Sequence, residues 1–427
     1  MCSIALGLHF WATRVIVPLV RNCLLLAFLC VLAYAPFLSV PLFEDDYPIL
    51  TEGHTYGSPA ALPVLLHSPV IRQRAIRHWS AFALWELFHL TPAAYHAASL
   101  ALHVANTLLI YWLIWLWPGM RPAALWAAIF FAVQEGHQEA VVWFSAIDEL
   151  WKFLFGVGAL ALFILAGKTG GGRRTGVRWL LRAASLVLFA LAMISKESAV
   201  ILPALFLLTI PPKEWPRAVP RLLPYVALAG LAATAIFAAK TSSFRFSDGS
   251  FSLHAPFWIT FPKGIARLLW IWGWPALVLV WRKSWAPLAW MALALIPYCF
   301  LTYSTEIPSR QTYLASAGLA LLVGLALSQI PSRKLAVAIL VVLVLQNVAY
   351  LWTKKRTQFL RRAEPTEQLI RFARQTQGPI WVRCFPRNGF IAQEAVRLGA
   401  GKPVSDLVWS AGDAAARNAV AFCYQPR

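Results

Sequence analysis

The stretch VIVPLVRNCLLLAFLCVLAYAPFLSVPLFEDD (15–46) sets the class of this protein, because it joins a membrane-length apolar segment to three consecutive carboxylates. About 20 apolar residues cross the hydrocarbon core of a bilayer, and the run from Val15 to Val40 meets that length. Carboxylates at the edge of a bilayer are costly unless they have a function. Glu44, Asp45 and Asp46 are therefore predicted to lie at a membrane–water boundary and are the first candidates for chemistry.

The composition of the whole chain is that of an integral membrane protein. Of its 427 residues, 59% are hydrophobic and 13% are charged, and the mean hydropathy is +0.62. A soluble domain carries about 25% charged residues. The apolar runs predict an all-α polytopic protein with about eleven transmembrane helices. Their approximate bounds are 15–38, 92–117, 122–134, 150–167, 179–194, 198–210, 219–239, 268–281, 286–303, 313–330 and 335–352.

Short basic loops predict which ends of these spans face the cytoplasm. Clusters of Lys and Arg occur at 168–178, Lys213 to Arg221, Arg282-Lys283 and Arg333-Lys334, and all fall on one side if the spans alternate. This side is cytoplasmic by the positive-inside rule, with the N-terminus inside. Nearly all acidic residues before position 354 fall on the other side, which is predicted to be the functional face.

The residues after the last span have a different character and predict a small soluble α/β domain. The predicted division is 1–353 for the transmembrane domain and 354–427 for this extracytoplasmic domain. Patterning predicts helices from Glu364 to Gln377 and from Ile391 to Leu398, and strands at 379–385 and 419–424. Cys384 and Cys423 would form a disulfide in an extracytoplasmic tail, and free buried thiols are the alternative.

The formal net charge of +20 reflects topology and membrane contact rather than nucleic-acid binding. The basic residues are dispersed over loops on two faces, and no nucleic-acid-binding module is recognisable. Lys354-Lys355-Arg356 and Arg361-Arg362 follow the last span directly and would lie outside if the span count is odd. An anionic headgroup or ligand on that face would explain them.

Five segments occur in an order that resembles a known class of membrane enzyme. They are FEDDYPI (43–49), YHAASLALH (95–103), HQEAVVWFS (137–145), SKESAVILP (195–203) and RQTYLASAG (310–318). Together they resemble the glycosyltransferases of the GT-C class, and in particular bacterial relatives of the transmembrane and tetratricopeptide-repeat O-mannosyltransferases. The resemblance covers roughly residues 15–352.

The chain also departs from that family's usual pattern. It has Gln134-Glu135 where the family shows His-Pro, Ser99 in place of Asn, and Ser309-Arg310-Gln311 in place of Glu-Arg-Tyr. These departures leave the substrate and any metal site open.

The resemblance implies transfer of a hexosyl or pentosyl group from a polyprenyl-phosphate donor, with inversion at the anomeric carbon. The acceptor would be a protein, lipid or glycan on the extracytoplasmic face of the bacterial inner membrane. A base must take the proton of the acceptor, and a partly desolvated carboxylate has its pKa raised toward that role. Asp45 is the predicted base, with Asp46 as the alternative and Glu44 as the third member of the catalytic set.

Other residues are candidates for binding the substrates. Arg310 and Lys196 would neutralise the leaving phosphate, since Arg offers a bidentate fork and Lys a point charge, with Arg72, Arg74 and Arg77 in reserve. The further candidates for orienting the acceptor or donor are Glu139, His137, Glu197, His96 and His103. No cofactor is certain, but Asp46 and Glu139 would suit a divalent ion such as Mg²⁺ or Mn²⁺.

Structural interpretations of the same residues stay open. His96 and His103 lie two turns apart on one predicted helix face, where packing between helices is the alternative to a ligand pair. Lys196 and Glu197 would equally form an internal ion pair. Most of the 21 tryptophans are expected to anchor the protein at the membrane interface, although Trp143 would also suit stacking on a sugar.

Three other functions compete with glycosyl transfer. A transporter or flippase would have two related halves with broken apolar segments, and the sequence has no such symmetry. A lipid-linked glycan ligase or polymerase shares the donor but carries its long outer loops late in the chain. An inactive scaffold would explain the departures from the family pattern.

Overall fold

The computed structural model describes residues 17–169, 175–242 and 245–426 and consists mainly of helices. The α-helices are α1 (Val17–Tyr34), α2 (Asp46–Tyr56), α3 (Leu62–His67), α4 (Pro69–Arg72), α5 (Ala75–Phe88), α6 (Pro92–Leu116), α7 (Ala124–Val133), α8 (Gln138–Val142), α9 (Ile147–Lys168), α10 (Thr175–Met193), α11 (Leu202–Leu208), α12 (Trp215–Lys240), α13 (Phe257–Leu269), α14 (Gly273–Val280), α15 (Trp285–Leu295), α16 (Ser316–Gln329), α17 (Arg333–Tyr350), α18 (Arg356–Gln375), α19 (Gly389–Ala400) and α20 (Ala411–Ala416). The strands are β1 (Thr241–Ser242), β2 (Arg245–Phe246), β3 (Ile380–Cys384), β4 (Leu407–Val408) and β5 (Val420–Cys423). The first two residues of the predicted span 15–38, and 170–174 of the basic loop, lie outside the described residues.

Several of these helices are long and apolar enough to cross a membrane. Six such segments occur in the described part of the chain, at Val17–Ser39, Pro92–Leu116, Phe144–Lys168, Thr175–Met193, Pro212–Lys240 and Arg333–Gln375. Shorter apolar helices lie at Arg121–Val133, Glu197–Leu208, Trp285–Tyr298 and Ser316–Gln329. The prediction of a polytopic, helical membrane protein is confirmed.

The predicted span 268–281 is part of a sharply bent pair of helices rather than one straight helix. α13 and α14 meet at an angle of 85°. Between them, Ile271 has a φ of +66°, a conformation that β-branched residues rarely adopt. Trp272 Nε1 donates to Gln346 Oε1 of α17 at 2.9 Å, which fixes the corner against the neighbouring helix. Because this bend depends on one backbone angle, the hydropathy of the sequence does not predict it.

α16 forms the centre of the bundle, where small residues let helices approach closely. It packs against α7, α14 and α15, and its residues from Ser316 to Leu327 are buried. A Cβ atom added at Gly324 would lie only 2.7 Å from the Cβ of Ala127 and 2.8 Å from the carbonyl oxygen of Ala123. This close contact between α16 and α7 therefore requires glycine.

The last membrane helix continues without a break into the tail. α17 passes through a π-helical turn, Leu351–Lys355, into α18, so the predicted boundary at 353/354 falls inside one continuous helix. Trp352 Nε1 donates to the carbonyl of Leu32 at 3.1 Å, and Arg356 Nε to that of Pro36 at 3.0 Å. These bonds hold the start of α18 against the end of α1, close to the acidic triplet.

The four elements predicted for the tail are confirmed as α18, β3, α19 and β5. The three strands form a parallel sheet in the order β4-β3-β5, and a disulfide joins Cys384 to Cys423 at its edge. A small core of its own, including Ile380, Val382 and Phe422, packs under this sheet. The division into domains at 353/354 stays a prediction.

Candidate active site

The acidic triplet forms a tight turn in which its three carboxylates have different surroundings. The backbone N–H of Asp46 donates to the carbonyl of Phe43 at 3.1 Å, and α2 begins at Asp46. Glu44 has a φ of +49°, which is uncommon for a residue other than glycine. Such strained positions persist only where surrounding contacts hold them, and they cluster at functional sites.

Asp46 is fully buried and holds two backbone segments together. Its Oδ2 accepts a hydrogen bond from the N–H of Phe43 at 3.0 Å, and its Oδ1 accepts one from Ser145 at 2.8 Å. Burial raises the pKa of Asp46 to about 8, against the opposing effect of these two bonds. Both oxygens are thus engaged, which favours a positioning role over that of the base.

Glu44 is held by two arginines that lie beyond the last membrane helix. Arg362 donates to its carboxylate from Nη2 at 2.5 Å and from Nε at 3.2 Å, and Arg387 Nη2 lies 2.7 Å from its Oε1. Neither arginine was among the candidates from the sequence, because each is more than 300 residues away along the chain. The signal for Arg362 was the run of cations after the last span, for which an anionic partner was predicted.

Asp45 differs from both neighbours because its carboxylate is unpaired. It is half-buried, and within the described residues no hydrogen bond or ion pair reaches its side-chain oxygens. Burial and the charge of Glu44 raise its pKa, while Arg310, Arg362 and Arg77 act in the opposite direction. A half-buried carboxylate with free lone pairs and a raised pKa is suited to accept a proton.

Glu139 and Arg310, both predicted site residues, complete the group of charges around the triplet. Glu139 Oε2 accepts the backbone N–H of Arg310 at 3.2 Å, and its Oε1 lies 3.4 Å from Arg362 Nη1. The guanidinium groups of Arg310 and Arg362 lie 4.7 and 4.4 Å from the ring centroid of Trp143. Burial raises the pKa of Glu139, but the two arginines and hydrogen bonds outweigh it and lower the pKa overall. We call Glu44, Glu139, Arg310, Arg362 and Arg387 the rim cluster.

The rim cluster borders one cavity, and a second cavity adjoins the first. One, of about 530 Å³, is lined by charged residues that include Glu44, Glu139 and Arg362. The other, of about 470 Å³, has walls of both polar and apolar residues and lies along the corner between α13 and α14. The two share four lining residues, Gln138, Arg267, Ser309 and Lys355. A charged chamber thus adjoins a partly apolar groove, with two cations at the junction.

Lys196 and Glu197, which were predicted to act with Arg310, lie in a separate group of charges. Lys196 Nζ lies 3.3 Å from Asp148 Oδ1 and 2.8 Å from Glu149 Oε1. Arg74 pairs with Asp148 and, at 2.8 Å, with Glu197. The set is completed by Lys152, whose Nζ lies 2.5 Å from Glu149 Oε2. We call Arg74, Asp148, Glu149, Lys152, Lys196 and Glu197 the span cluster. These contacts favour the interpretation of Lys196 and Glu197 as internal ion-pair residues.

The three predicted histidines are buried, and each bonds to the protein. His96 Nε2 lies 2.8 Å from the carbonyl of Val40, and His103 Nδ1 lies 2.7 Å from the hydroxyl of Tyr313. His137 Nε2 lies 2.6 Å from Ser316 Oγ. None of the three lines either cavity. The contacts therefore favour packing between helices over substrate binding.

Arg77 lies beside a third cavity, of about 500 Å³, on the α2 and α5 side of the triplet. Its Nη2 donates to Glu52 Oε2 at 2.7 Å. Gln73 and His78 line the same cavity and are 5% and 3% exposed. Gln73 Oε1 lacks a hydrogen-bond partner, and His78 Nδ1 has no hydrogen bond but lies 3.8 Å from Glu52 Oε2. Buried polar atoms without partners are costly, so a polar ligand would complete this cavity.

The residues predicted for a divalent ion do not offer it a free ligand set. Both oxygens of Asp46 accept backbone hydrogen bonds, and both oxygens of Glu139 face arginines. Among the described residues, no group of three His, Cys, Asp or Glu side chains has the arrangement of a metal site. We therefore derive no catalytic step through a metal.

Comparison with known proteins identifies the fold. No family model and no curated protein matches the sequence. Among solved structures, the chain is similar to the oligosaccharyltransferase AglB of Archaeoglobus fulgidus in complex with an inhibitory peptide and a dolichol-phosphate, with a TM-score of 0.52 and 12% identity over 92% of this chain. It is also similar to ArnT of Cupriavidus metallidurans bound to undecaprenyl phosphate, with a TM-score of 0.53 and 12% identity over 96% of this chain. AglB in complex with Zn and sulfate gives a TM-score of 0.53.

These matches cover the neighbours to different extents. The chain spans 65% of the length of AglB and 90% of that of ArnT. At this level of identity the likeness shows the fold. The chain has the multi-spanning fold of these two proteins, which is the GT-C fold predicted from the five motifs.

Proposed function

We propose that this protein is a membrane glycosyltransferase that moves a sugar from a polyprenyl-phosphate donor to an acceptor on the extracytoplasmic face, with inversion. One observation carries the proposal. Asp45 has the unpaired carboxylate of the triplet and lies within electrostatic range of Arg310 and Arg362, and its neighbour Glu44 lines a charged cavity that adjoins a partly apolar groove. A base, an anion site and a lipid path are the three features that this reaction requires.

The two joined cavities match the two halves of the donor. Arg267 and Lys355 at the junction, with Arg310 and Arg362 nearby, would bind the donor phosphate through charge-assisted hydrogen bonds. The prenyl chain would follow Trp270, Ile271 and other apolar walls of the groove toward the bilayer. The presence of dolichol-phosphate on AglB and of undecaprenyl phosphate on ArnT supports a ligand of this kind.

In the proposed reaction, Asp45 takes the proton of an acceptor hydroxyl or amine as that group attacks the anomeric carbon. The bond from this carbon to the phosphate oxygen breaks, and polyprenyl phosphate leaves with the electron pair. Attack opposite the leaving group inverts the anomeric centre. The arginines stabilise the charge that develops on the phosphate, a contribution that counts most in a site shielded from water.

The third cavity is the proposed acceptor site. Gln73 Oε1 in its wall has no hydrogen-bond partner and suits a polar group on a protein, lipid or glycan. Arg77 acts electrostatically on Asp45, which supports a position near the base. The sugar and the acceptor are not specified by these contacts.

The proposed topology has eleven spans, with the site outside the cytoplasm of a bacterial cell. Six long apolar helices, one bent pair and four shorter apolar helices support that count. The pairing of Glu44 with Arg362 requires the ends of α1 and α17 to lie on the same side, as an odd number of spans demands. The residues from 354 onward, with their own sheet and core, form the proposed extracytoplasmic domain.

Replacing Asp45 by Asn tests the proposal directly. The purified protein in liposomes is given a panel of undecaprenyl-phosphate sugars with membrane extract as acceptor source, and release of undecaprenyl phosphate is measured. Asp45→Asn removes the proton acceptor and should lower turnover by about 10² to 10⁴-fold while donor binding persists. Asp248→Asn, a side chain 49% exposed and paired with Lys240, is the matched control and should leave turnover unchanged. Full activity in the Asp45 variant would refute the assignment of the base.

A further inference from the structure

The end of the helix bundle remote from the acidic triplet contains a second, unassigned charged region. α9 begins beside Ser145, which bonds to Asp46, and its 22 residues extend about 33 Å to Lys168. α10 ends beside Ile194, whose carbonyl accepts the N–H of Ile76 on α5, so its first residues lie at the remote end. α12 likewise ends at Lys240, which lines the third cavity, and begins at the remote end.

A cavity of about 790 Å³ lies between these helices at the remote end. Its lining contains five basic side chains and one acidic one, which are Lys168, Arg182, Lys213, Arg217, Arg221 and Glu214. Within the described residues, none of the five cations forms an ion pair with a carboxylate. The region thus differs from the rim and span clusters, where cations and carboxylates are paired.

The helix register holds several of these cations near one another. Ser185 of α10 and Tyr225 of α12 are joined by a hydrogen bond of 2.8 Å between their hydroxyl groups. Arg182 precedes Ser185 by three residues and Arg221 precedes Tyr225 by four, so each arginine lies one turn away on the same helix face. Arg178 and Arg221 both act electrostatically on Arg182.

Arg178, which lies one turn before Arg182 on α10 and outside the lining of the cavity, also has an unsatisfied donor. The Nε of Arg178 is buried and has no hydrogen-bond partner. Like charges held at short range are destabilising, and an unpaired buried donor adds to that cost. An anion bound between α10 and α12 would relieve both.

The surroundings of this cavity identify the kind of anion. Phe163 and Ile164 form part of its wall, and Leu180 and Leu223 on the adjoining helices are 70% and 59% exposed. Because α10 and α12 are apolar enough to cross a membrane, these exposed side chains would face lipid. A soluble anion would leave the apolar border uncovered, whereas a lipid with a phosphate headgroup and acyl chains would contact both parts.

We infer that this cavity binds the phosphate headgroup of an anionic phospholipid in the leaflet opposite the active site. Arg182, near the start of α10, and Arg221, near the start of α12, hold the phosphate. The acyl chains lie along Leu180 and Leu223. Juxtamembrane Lys and Arg residues attract anionic lipids, and a cavity that concentrates five of them adds a defined place for the headgroup. This site is independent of the proposed glycosyl transfer.

The test measures lipid affinity on the purified full-length protein in a neutral detergent. Phosphatidylglycerol, phosphatidylcholine and inorganic phosphate are titrated separately, and bound lipid is counted by native mass spectrometry while the melting temperature is followed. Phosphatidylglycerol should bind in a one-to-one complex and raise the melting temperature. Neither phosphatidylcholine nor inorganic phosphate at equal phosphorus concentration should do so.

Two double variants with equal loss of charge locate the lipid. Arg182→Gln with Arg221→Gln should weaken phosphatidylglycerol binding by about tenfold or more. Arg282→Gln with Lys283→Gln, two exposed cations on another loop, should change it by less than about twofold. If the first pair destabilises the fold, Lys213→Gln with Arg217→Gln, both exposed, is used in its place.

Three results would overturn the inference. Equal weakening by the cavity pair and the loop pair would indicate attraction to the surface charge as a whole. Saturation by inorganic phosphate alone would indicate a site for a soluble anion. Equal binding of phosphatidylcholine would show that the net negative charge of the lipid does not contribute to recognition.

Discussion

The rim cluster and the span cluster contain the same kinds of side chain and differ in how completely they are paired. With Asp45 added, the rim region has three carboxylates and three arginines, and the span cluster also has three carboxylates and three cations. In the span cluster every carboxylate has an ion-pair partner. In the rim region Asp45 has none, and four members of the rim cluster line a cavity. Removing one partner of a buried ion pair costs stability, whereas an unpaired carboxylate next to a cavity-lining residue is available for chemistry.

The difference in pairing predicts that substitution of Asp45 mainly lowers activity, whereas substitution of Glu149 in the span cluster mainly lowers stability. Asp45→Asn should lose about 10² to 10⁴-fold in turnover with little change in the unfolding midpoint. Glu149→Gln should act mainly on stability. Turnover at a temperature well below unfolding, measured beside the midpoint for each variant, separates the two effects. If Asp45→Asn lowered turnover and the unfolding midpoint together, Asp45 would have a structural role like that of the carboxylates in the span cluster.

Glu149 is the carboxylate whose removal should cost the most stability. It is fully buried and pairs with both Lys152 and Lys196. Glu149→Gln leaves two buried ammonium groups undercompensated, which should destabilise the protein by about 3 to 5 kcal/mol. Chemical unfolding in detergent measures the loss. Glu86→Gln, an exposed change of the same type, should stay within about 0.5 kcal/mol, and an equally small effect for Glu149 would contradict the buried pairing.

Arg362 should matter through its shape as well as its charge. It donates to Glu44 from two nitrogens and lies over the ring of Trp143, contacts that an ammonium group cannot copy. Arg362→Lys should therefore lower turnover by about 10 to 150-fold, corresponding to about 1.5 to 3 kcal/mol for a charged hydrogen bond. Arg361→Lys, the exposed neighbour, is the control and should be silent. Comparable turnover in the Arg362→Lys and Arg361→Lys variants would show that Arg362 does not contribute to the reaction.

The difference between the two regions also explains what the sequence could predict. The triplet, Glu139 and Arg310 could be predicted as candidates because each belongs to a local motif with a position relative to a span. Arg362 and Arg387 were missed because their contacts with Glu44 depend on how α18 and the loop between β3 and α19 pack beside the acidic triplet. Asp148 and Glu149 mark the edge of a span, but their partners Arg74 and Lys196 lie in distant segments of the chain, before α5 and before α11.

The same limit applies to the fold. Hydropathy located the membrane helices and the tail elements because these depend on local composition. It did not reveal the corner at Ile271 or the continuation of α17 into α18, because one backbone angle and a π-helical turn determine them. Both features border the site, so the groove and the arginine from the tail could only be seen in three dimensions.

The smallest predicted effect concerns pH and the link between Glu44 and Asp45. The charge of Glu44 raises the pKa of Asp45, second only to burial, and Arg310, Arg362 and Arg77 oppose it. Because the base must be deprotonated, activity should fall as the pH drops through this raised pKa. Glu44→Gln removes the raising charge and releases Arg362 and Arg387, and both changes lower the pKa of Asp45. The acid limb of the pH–rate profile for kcat/KM should therefore move to lower pH in this variant, together with a loss of turnover from disturbed geometry. Glu86→Gln, which removes an exposed carboxylate that is not among the groups acting on Asp45, is the matched control and should leave the acid limb in place. An acid limb that stays fixed in the Glu44 variant, or moves to higher pH, would show that Asp45 is not the group whose ionisation controls the reaction.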